Sequence, residues 1–258
     1  MFDHFEPYPA RNDSPVLEAW TTLAALSQVT ERVVLGTLVS CAAYRPAAVT
    51  VKMARNMHRL TGERFCFGVG AGWAEPEFES LGVPFGTAGE RADRLDEVLR
   101  LATVSGAGRR SLLLVGGEGE RRTLPAAVRY ADLVNWQVGL REFEAKSRLQ
   151  ARLCEEAGRD PASLRRTHAP NFQLFDSERE FRLWRQHPDR GKSADEIDEY
   201  IRDRGALYGT TVAIAETIEE FVSLGCQGFM AYCNQSPAPD ALAQLASLRP
   251  VANRPASR

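Results

Sequence analysis

The chain has 258 residues, 44% hydrophobic and 26% charged, with a net charge of −2, which suits one large α/β domain or two small ones and gives no reason to expect nucleic acid or an anionic membrane as a partner. No apolar run approaches the roughly 20 residues that span a bilayer, and the start, MFDHFEPYPARND, lacks the basic and apolar stretches of a signal peptide. The five cysteines, Cys41, Cys66, Cys154, Cys226 and Cys233, are odd in number and contain no C-x-x-C, so they read as reduced thiols of a cytoplasmic protein and not as a zinc site or disulfide frame.

In chain order, FDHF is a candidate half-strand, and Ser14-Pro15 reads as the N-cap and first turn of a helix over VLEAWTTLAALSQVT. ERVVLGTLVS is β-branched and suits a strand buried on both faces. Pro46 opens a helix over PAAVTVKMARNMHRL, which Thr61-Gly62 stops, and RFCFGVG is the next strand. GERADRLDEVLRLATV is an amphipathic helix ending at Ser105-Gly106-Ala107-Gly108. SLLLVGG is a strand with a helix after it through Ala131, DLVNW a short strand, and LREFEAKSRLQARLCEEAG a long helix ended by Gly158. THAPNFQLF follows as a strand, and residues 177–208 read as polar, helical and irregular. TIEEFVSLG is a helix capped by Gly225, and GFMAYC is the last strand.

Strand and helix alternate nearly throughout, which implies a parallel sheet in a single domain over residues 1–258. About six strands fit either an open doubly wound sheet or a (β/α)8 barrel that has lost a piece. Both architectures gather their sites at the carboxyl ends of strands. The candidates there are His4, Ser40 to Tyr44, Gly70 to Trp73, Gly116-Gly117 and Trp136.

GVGAGW could suggest a dinucleotide fingerprint, but Pro76 and the acidic EPEFE follow where a helix should begin at the last glycine. A tight loop with Trp73 closing over a ligand, or a plain glycine turn with Trp73 filling a gap, fits better. VGGEGE lies between a strand and a helix, where exposed N–H groups bind phosphate, although Glu118 and Glu120 suit an anion only if they point away. In VSCAAYRP the small residues could let a flat ring lie on the backbone. Cys41 reads better as a structural thiol than as a nucleophile, and Tyr44 could equally belong to a surface turn before Pro46. His4 is an acid or base for neutral pH, or an exposed bystander. There is no metal-ligand spacing and no G-x-S-x-G elbow.

Taken in order, "LEAWTTLAALSQVTERVVLGTLVSCAAYRPA", "GVGAGWAEPEFESLGVPFGTAGERADRLDEVLRL", "LLLVGGEG", "AAVRYADLVNW" and "CEEAGRDPASL" resemble the bacterial luciferase-like superfamily. Within it the sequence is most similar to the branch using the deazaflavin coenzyme F-420. The resemblance implies an α/β fold, a TIM-like (β/α)8 barrel with the cofactor at its carboxyl end. It implies that Val39, Ser40 and Cys41 form a bulge backing the tricyclic ring, often through a non-proline cis peptide. Gly70, Ala71 and Gly72 would approach the cofactor's chain, with Trp73 near the ring, and Gly116 and Gly117 would hold its phosphate. His4 would match an active-site histidine, and Tyr8, Tyr44 and Trp136 would line the substrate pocket.

Three departures qualify the resemblance. Family members carry a strand, a helix and most of a second strand before the "DHF" position, where this sequence has only Met1 and Phe2, so a barrel lacking its first βα unit is expected. A homodimer or a partner subunit would then cover the opened edge. The excursion usual between Val104 and Ser111 is short here, and "NMHRLTGER" replaces the usual lead into the glycine strand. Three functions follow as expectations: hydride transfer between reduced deazaflavin and a small organic substrate, in specialised metabolism as one setting; an FMN-dependent luciferase-like monooxygenase; or a non-catalytic relative that binds a cofactor or partner.

Overall fold

The computed structural model describes residues 1–7, 15–104, 111–187 and 191–233. They fall into two compact units: Met1–Val134 with Glu156–Leu164, and Asn135–Glu155 with the described residues from Arg165 onward.

In the first unit, α1 (Ala19–Ser27) begins later than the sequence suggests. Its N-cap is Glu18, whose carboxylate accepts from the Trp20 and Thr21 amides; Ser14 lies outside the described residues. The capping oxygen has simply moved to a longer side chain further on. The expected strand at 31–40 is two short pieces, β1 (Leu35–Gly36) and β2 (Ser40–Cys41), separated by a cis peptide at Leu38–Val39. Both pair in parallel with β3 (Phe65–Gly70), which also pairs in parallel with β4 (Leu112–Gly116). β3 is buried along nearly its whole length, so its apolar run is continuous and not alternating.

Helices join these strands. α2 (Ala47–Leu60) follows Pro46, as the proline signal indicates. A short α3 (Glu75–Ser80) follows β3 and carries Pro76 in its first turn. α4 (Ala88–Thr103) opens with a capping box between Thr87 and Glu90, and Leu95, Val98 and Leu99 form its buried stripe. α5 (Thr123–Tyr130) ends against Arg159, whose guanidinium donates to the Val128 and Ala131 carbonyls, each at 2.7 Å. Arg159 therefore satisfies the orphan carbonyls of a helix end. The adjacent Asp160 caps a 3₁₀ turn at Pro161–Ser163. Part of the family resemblance, the "GRDPAS" segment, is thus structural.

β5 (Leu133–Trp136) carries the chain into the second unit, where α6 (Leu140–Glu156) follows. The expected strand at 167–175 divides around Pro170 into β6 (Arg165–His168) and β7 (Asn171–Leu174). The polar stretch after it holds α7 (Glu178–Arg185), α8 (Ala194–Arg204) with a Ser193–Glu196 capping box, and β8 (Leu207–Gly209). α9 (Thr211–Ser223) starts earlier than the sequence suggests, because Thr210 supplies its N-cap. β9 (Tyr232–Cys233) and β8 flank β7 in a parallel sheet. Phe172, Leu207, Ile214 and Ile218 pack as one core cluster. His168 is fully buried against Phe221 at 4.3 Å between ring centroids, with its two nitrogens on the carbonyls of Trp136 and Gly205. Among the described residues no helix is long and apolar enough to cross a membrane.

Candidate functional site

Two buried carboxylates organise the first unit's carboxyl-end residues. The first is Asp3, 4% exposed, in the segment that lies along β2. The Leu38 amide donates to the Met1 carbonyl at 2.7 Å, which brings Asp3 over the end of β2. The Asp3 carboxylate accepts from the Ser40 hydroxyl at 2.7 Å and the Cys41 amide at 3.2 Å. The Arg45 guanidinium adds a two-pronged contact at 2.7 and 3.0 Å. A carboxylate out of water needs this degree of satisfaction. Arg45 also reaches the Glu18 carboxylate at 3.1 Å.

The second is Glu77 in the first turn of α3, 5% exposed. Its Oε2 accepts from His4 Nδ1 at 2.9 Å and from the Tyr44 hydroxyl at 2.7 Å, and its Oε1 accepts from the Glu6 amide at 3.2 Å. Burial is the largest influence and pushes the Glu77 carboxyl up, but the hydrogen bonds from Tyr44 and His4, with the charge of His4, bring it below the ordinary carboxylate value. Burial, then the bond to Glu77, pushes the Tyr44 phenol far above its usual range, so Tyr44 remains an O–H donor. Its ring lies edge-on between Phe5 at 5.5 Å and Phe78 at 5.0 Å. Trp73 is 60% exposed and meets the His4 ring edge-on at 5.9 Å.

The glycines that punctuate β3 and β4 make room for this chain's own bulge. A Cβ on Gly68 would lie 2.1 Å from the Thr37 carbonyl, one on Gly70 2.9 Å from Val39 Cγ2, and one on Gly116 2.8 Å from Val39 Cγ1. Val39 thus fills the space that two neighbouring strands leave. Gly72 has φ +87°, and its Cβ would lie 2.5 Å from Cys41 Sγ and 2.8 Å from the Phe78 ring. Only glycine suits that backbone and that gap. Burial pushes the Cys41 thiol up to about 11, in keeping with a packing role and not a nucleophilic one. Gly117, with φ +133°, is exposed together with Glu118, Gly119 and Glu120 ahead of α5.

His4, Tyr44 and Trp73 therefore come together around Glu77, while Val39, Gly70 and Gly116 interlock. Ser40 and Cys41 bind Asp3, Ala71 and Gly72 are half-buried, and Gly117 borders open solvent. Trp136 belongs to the second unit, where its ring is 2% exposed and packs edge-on to Phe143. Tyr8 lies outside the described residues. Asp3 and Glu77 were missed by reading the sequence. EPEFES offers three glutamates with nothing to say which is buried, and Asp3 and Arg45 are 42 positions apart. The one usable signal was Phe78, apolar beside Glu77 and wholly buried. Among the described residues no group of three or more His, Cys, Asp or Glu side chains could hold a metal ion.

Comparison with known proteins places this geometry in a family. The profile of the luciferase-like monooxygenase family matches residues 2–187. An uncharacterised protein of Mycobacterium bovis is 37% identical over 87 residues, which are 33% of this chain and 30% of that protein; this match thus spans only about a third of either length. Among solved structures, an F-420-dependent secondary alcohol dehydrogenase in complex with an F-420–acetone adduct is 18% identical. It aligns over 98% of this chain and 89% of its own with a TM-score of 0.79. The coenzyme F-420-dependent tetrahydromethanopterin reductase of Methanopyrus kandleri is 15% identical over 89% of this chain and 85% of its own, TM-score 0.68. The EDTA monooxygenase of a Chelativorans species is 12% identical over 99% and 84%, TM-score 0.73. At such identities these structures speak to fold alone. The chain belongs to the luciferase-like monooxygenase family, and its alternating helices and parallel strands are of that family's TIM-barrel type.

Proposed function

We propose that this protein is an oxidoreductase that transfers hydride between the reduced deazaflavin coenzyme F-420 and a small organic substrate, with His4 as the acid that completes proton transfer. The observation that carries the reading is His4 itself, held at 2.9 Å by a buried carboxylate beside an exposed tryptophan. A histidine so placed has its ring fixed by a buried partner and is not a solvated bystander.

The residues present fit the coenzyme. Exposed Trp73 offers an aromatic wall next to His4, and Gly117 offers open main chain ahead of α5, where a Cβ would come no closer than 3.4 Å to Thr123 Cγ2. Val39, Ser40 and Cys41, with Ala71 and Gly72, would hold the ring system, and Gly116-Gly117 the phosphate end. Glu118 and Glu120 are exposed, which lets their charges point away from an anion. When bound in its reduced form, the coenzyme supplies hydride. His4 is then set to deliver a proton through Nε2, because Nδ1 faces Glu77, and Tyr44 keeps the carboxylate in place.

The family profile and the monooxygenases of the same fold favour a second reading, an FMN-dependent monooxygenase. Comparing turnover with reduced F-420 against turnover with reduced FMN and oxygen separates the two. His4→Ala is expected to lower kcat by about 10²–10⁴-fold, the usual contribution of a positioned acid, while the coenzyme's Kd changes little. Equal losses in both quantities, or none, would count against the role of His4.

A further inference from the structure

We propose that Glu77 is the positioning residue of this site: its buried carboxylate grips His4 by Nδ1, and Tyr44 and the Glu6 amide hold that carboxylate in turn. The role rests on the reading of His4 as proton donor, and it concerns which ring nitrogen is presented. Free neutral imidazole favours its proton on Nε2. A carboxylate at 2.9 Å from Nδ1 demands a proton there instead. The neutral ring then carries its lone pair on Nε2, and the protonated ring donates from Nε2.

The grip is built from packed parts. Tyr44 donates to Glu77 at 2.7 Å, and its own ring is wedged between Phe5 and Phe78. Phe78, the next residue along α3, is fully buried and ties the helix to the core. His4 is bordered by Phe2 and Trp73, both at 5.9 Å. The carboxylate is thus set by a rigid aromatic frame, the arrangement that orients a histidine in an assembled site.

The test is the imidazole tautomer in cofactor-free protein, read from two-bond ¹H–¹⁵N spectra at about pH 9, where an ordinary imidazole is neutral. The chain has 4 histidines, so loss of one signal set in His4→Asn assigns His4. Wild type is expected to show the Nδ1–H form as the majority. Glu77→Ala should turn the majority to Nε2–H, and Glu77→Gln should restore Nδ1–H, because its amide oxygen can still accept. A wild-type majority of Nε2–H, or a Glu77→Ala spectrum unchanged from wild type, overturns the proposal. Should Glu77→Ala fail to fold, Tyr44→Phe carries the test: the Nδ1–H fraction must fall, and an unchanged fraction overturns the proposal. No coenzyme is needed for this readout, so failure to bind F-420 or FMN would refute the proposed function while leaving the tautomer result intact.

Discussion

Asp3→Ala isolates the structural half of the site. The substitution removes the acceptor of four hydrogen bonds, two from Arg45 and one each from Ser40 and the Cys41 amide. It leaves the Arg45 guanidinium, whose side chain is 15% exposed, without its closest counter-charge. Breaking a buried pair by deleting one partner costs roughly 3–5 kcal/mol. Arg45 keeps Glu18 at 3.1 Å, which places the expected loss at the lower end, about 3 kcal/mol. Glu18→Ala, at a half-buried carboxylate, should cost about 1 kcal/mol, chiefly through the lost cap on α1. Urea unfolding followed by tryptophan fluorescence compares the two variants with wild type. A loss below about 1 kcal/mol for Asp3→Ala, or equal losses for both variants, would refute the reasoning that Asp3 binds the N-terminal segment to β2.

Two further outcomes are expected. Gly72→Ala should destabilise by about 2–4 kcal/mol, combining left-handed strain with overpacking, whereas Gly82→Ala, where φ is +65° but nothing lies within 4 Å of the Cβ position, should cost only about 1 kcal/mol of strain; equal costs in urea unfolding would contradict the close packing of Cys41 and Phe78 under Gly72. Glu77 is held below its ordinary value of 4.5 in the folded protein, so its contribution to stability is whole above that value and is lost as pH falls below it. Urea midpoints measured from about pH 7 to about pH 3 should therefore decline less steeply in Glu77→Gln than in wild type, and identical slopes would show that Glu77 gains nothing from Tyr44 and His4.

The sequence made most of the longer helices and strands legible because their signals are local. Pro46 marks the start of α2, and the 3.6-residue stripe of Leu95, Val98 and Leu99 marks α4. The boundary at α1 moved because Glu18, a poor cap by type, reaches forward to the Trp20 and Thr21 amides, which a serine would ordinarily bind. β8 was hidden in a polar stretch because three residues are too few for a pattern of period two. At the site, His4, Tyr44 and Trp73 could be named from their chemistry and their places after strands. Glu77 and Asp3 could not, since the burial of a carboxylate depends on partners far along the chain: Tyr44 is 33 positions from Glu77, and His4 is 73. The glycines were legible as backbone needing close approach, but not what approaches. Val39 is an ordinary strand residue by type, and only the fold sets it against Gly70 and Gly116.

The central claim is that this chain binds a reduced redox coenzyme against Trp73 and the strand end at Val39-Ser40-Cys41. Titration of the purified protein with F-420 and, separately, with FMN, following ligand fluorescence, tests it most directly. The account predicts saturable binding of F-420 at micromolar or lower concentration, weakened at least tenfold by Trp73→Ala, with FMN bound more weakly. Tight binding of FMN alone would move the monooxygenase reading to first place. Binding of neither would contradict the account.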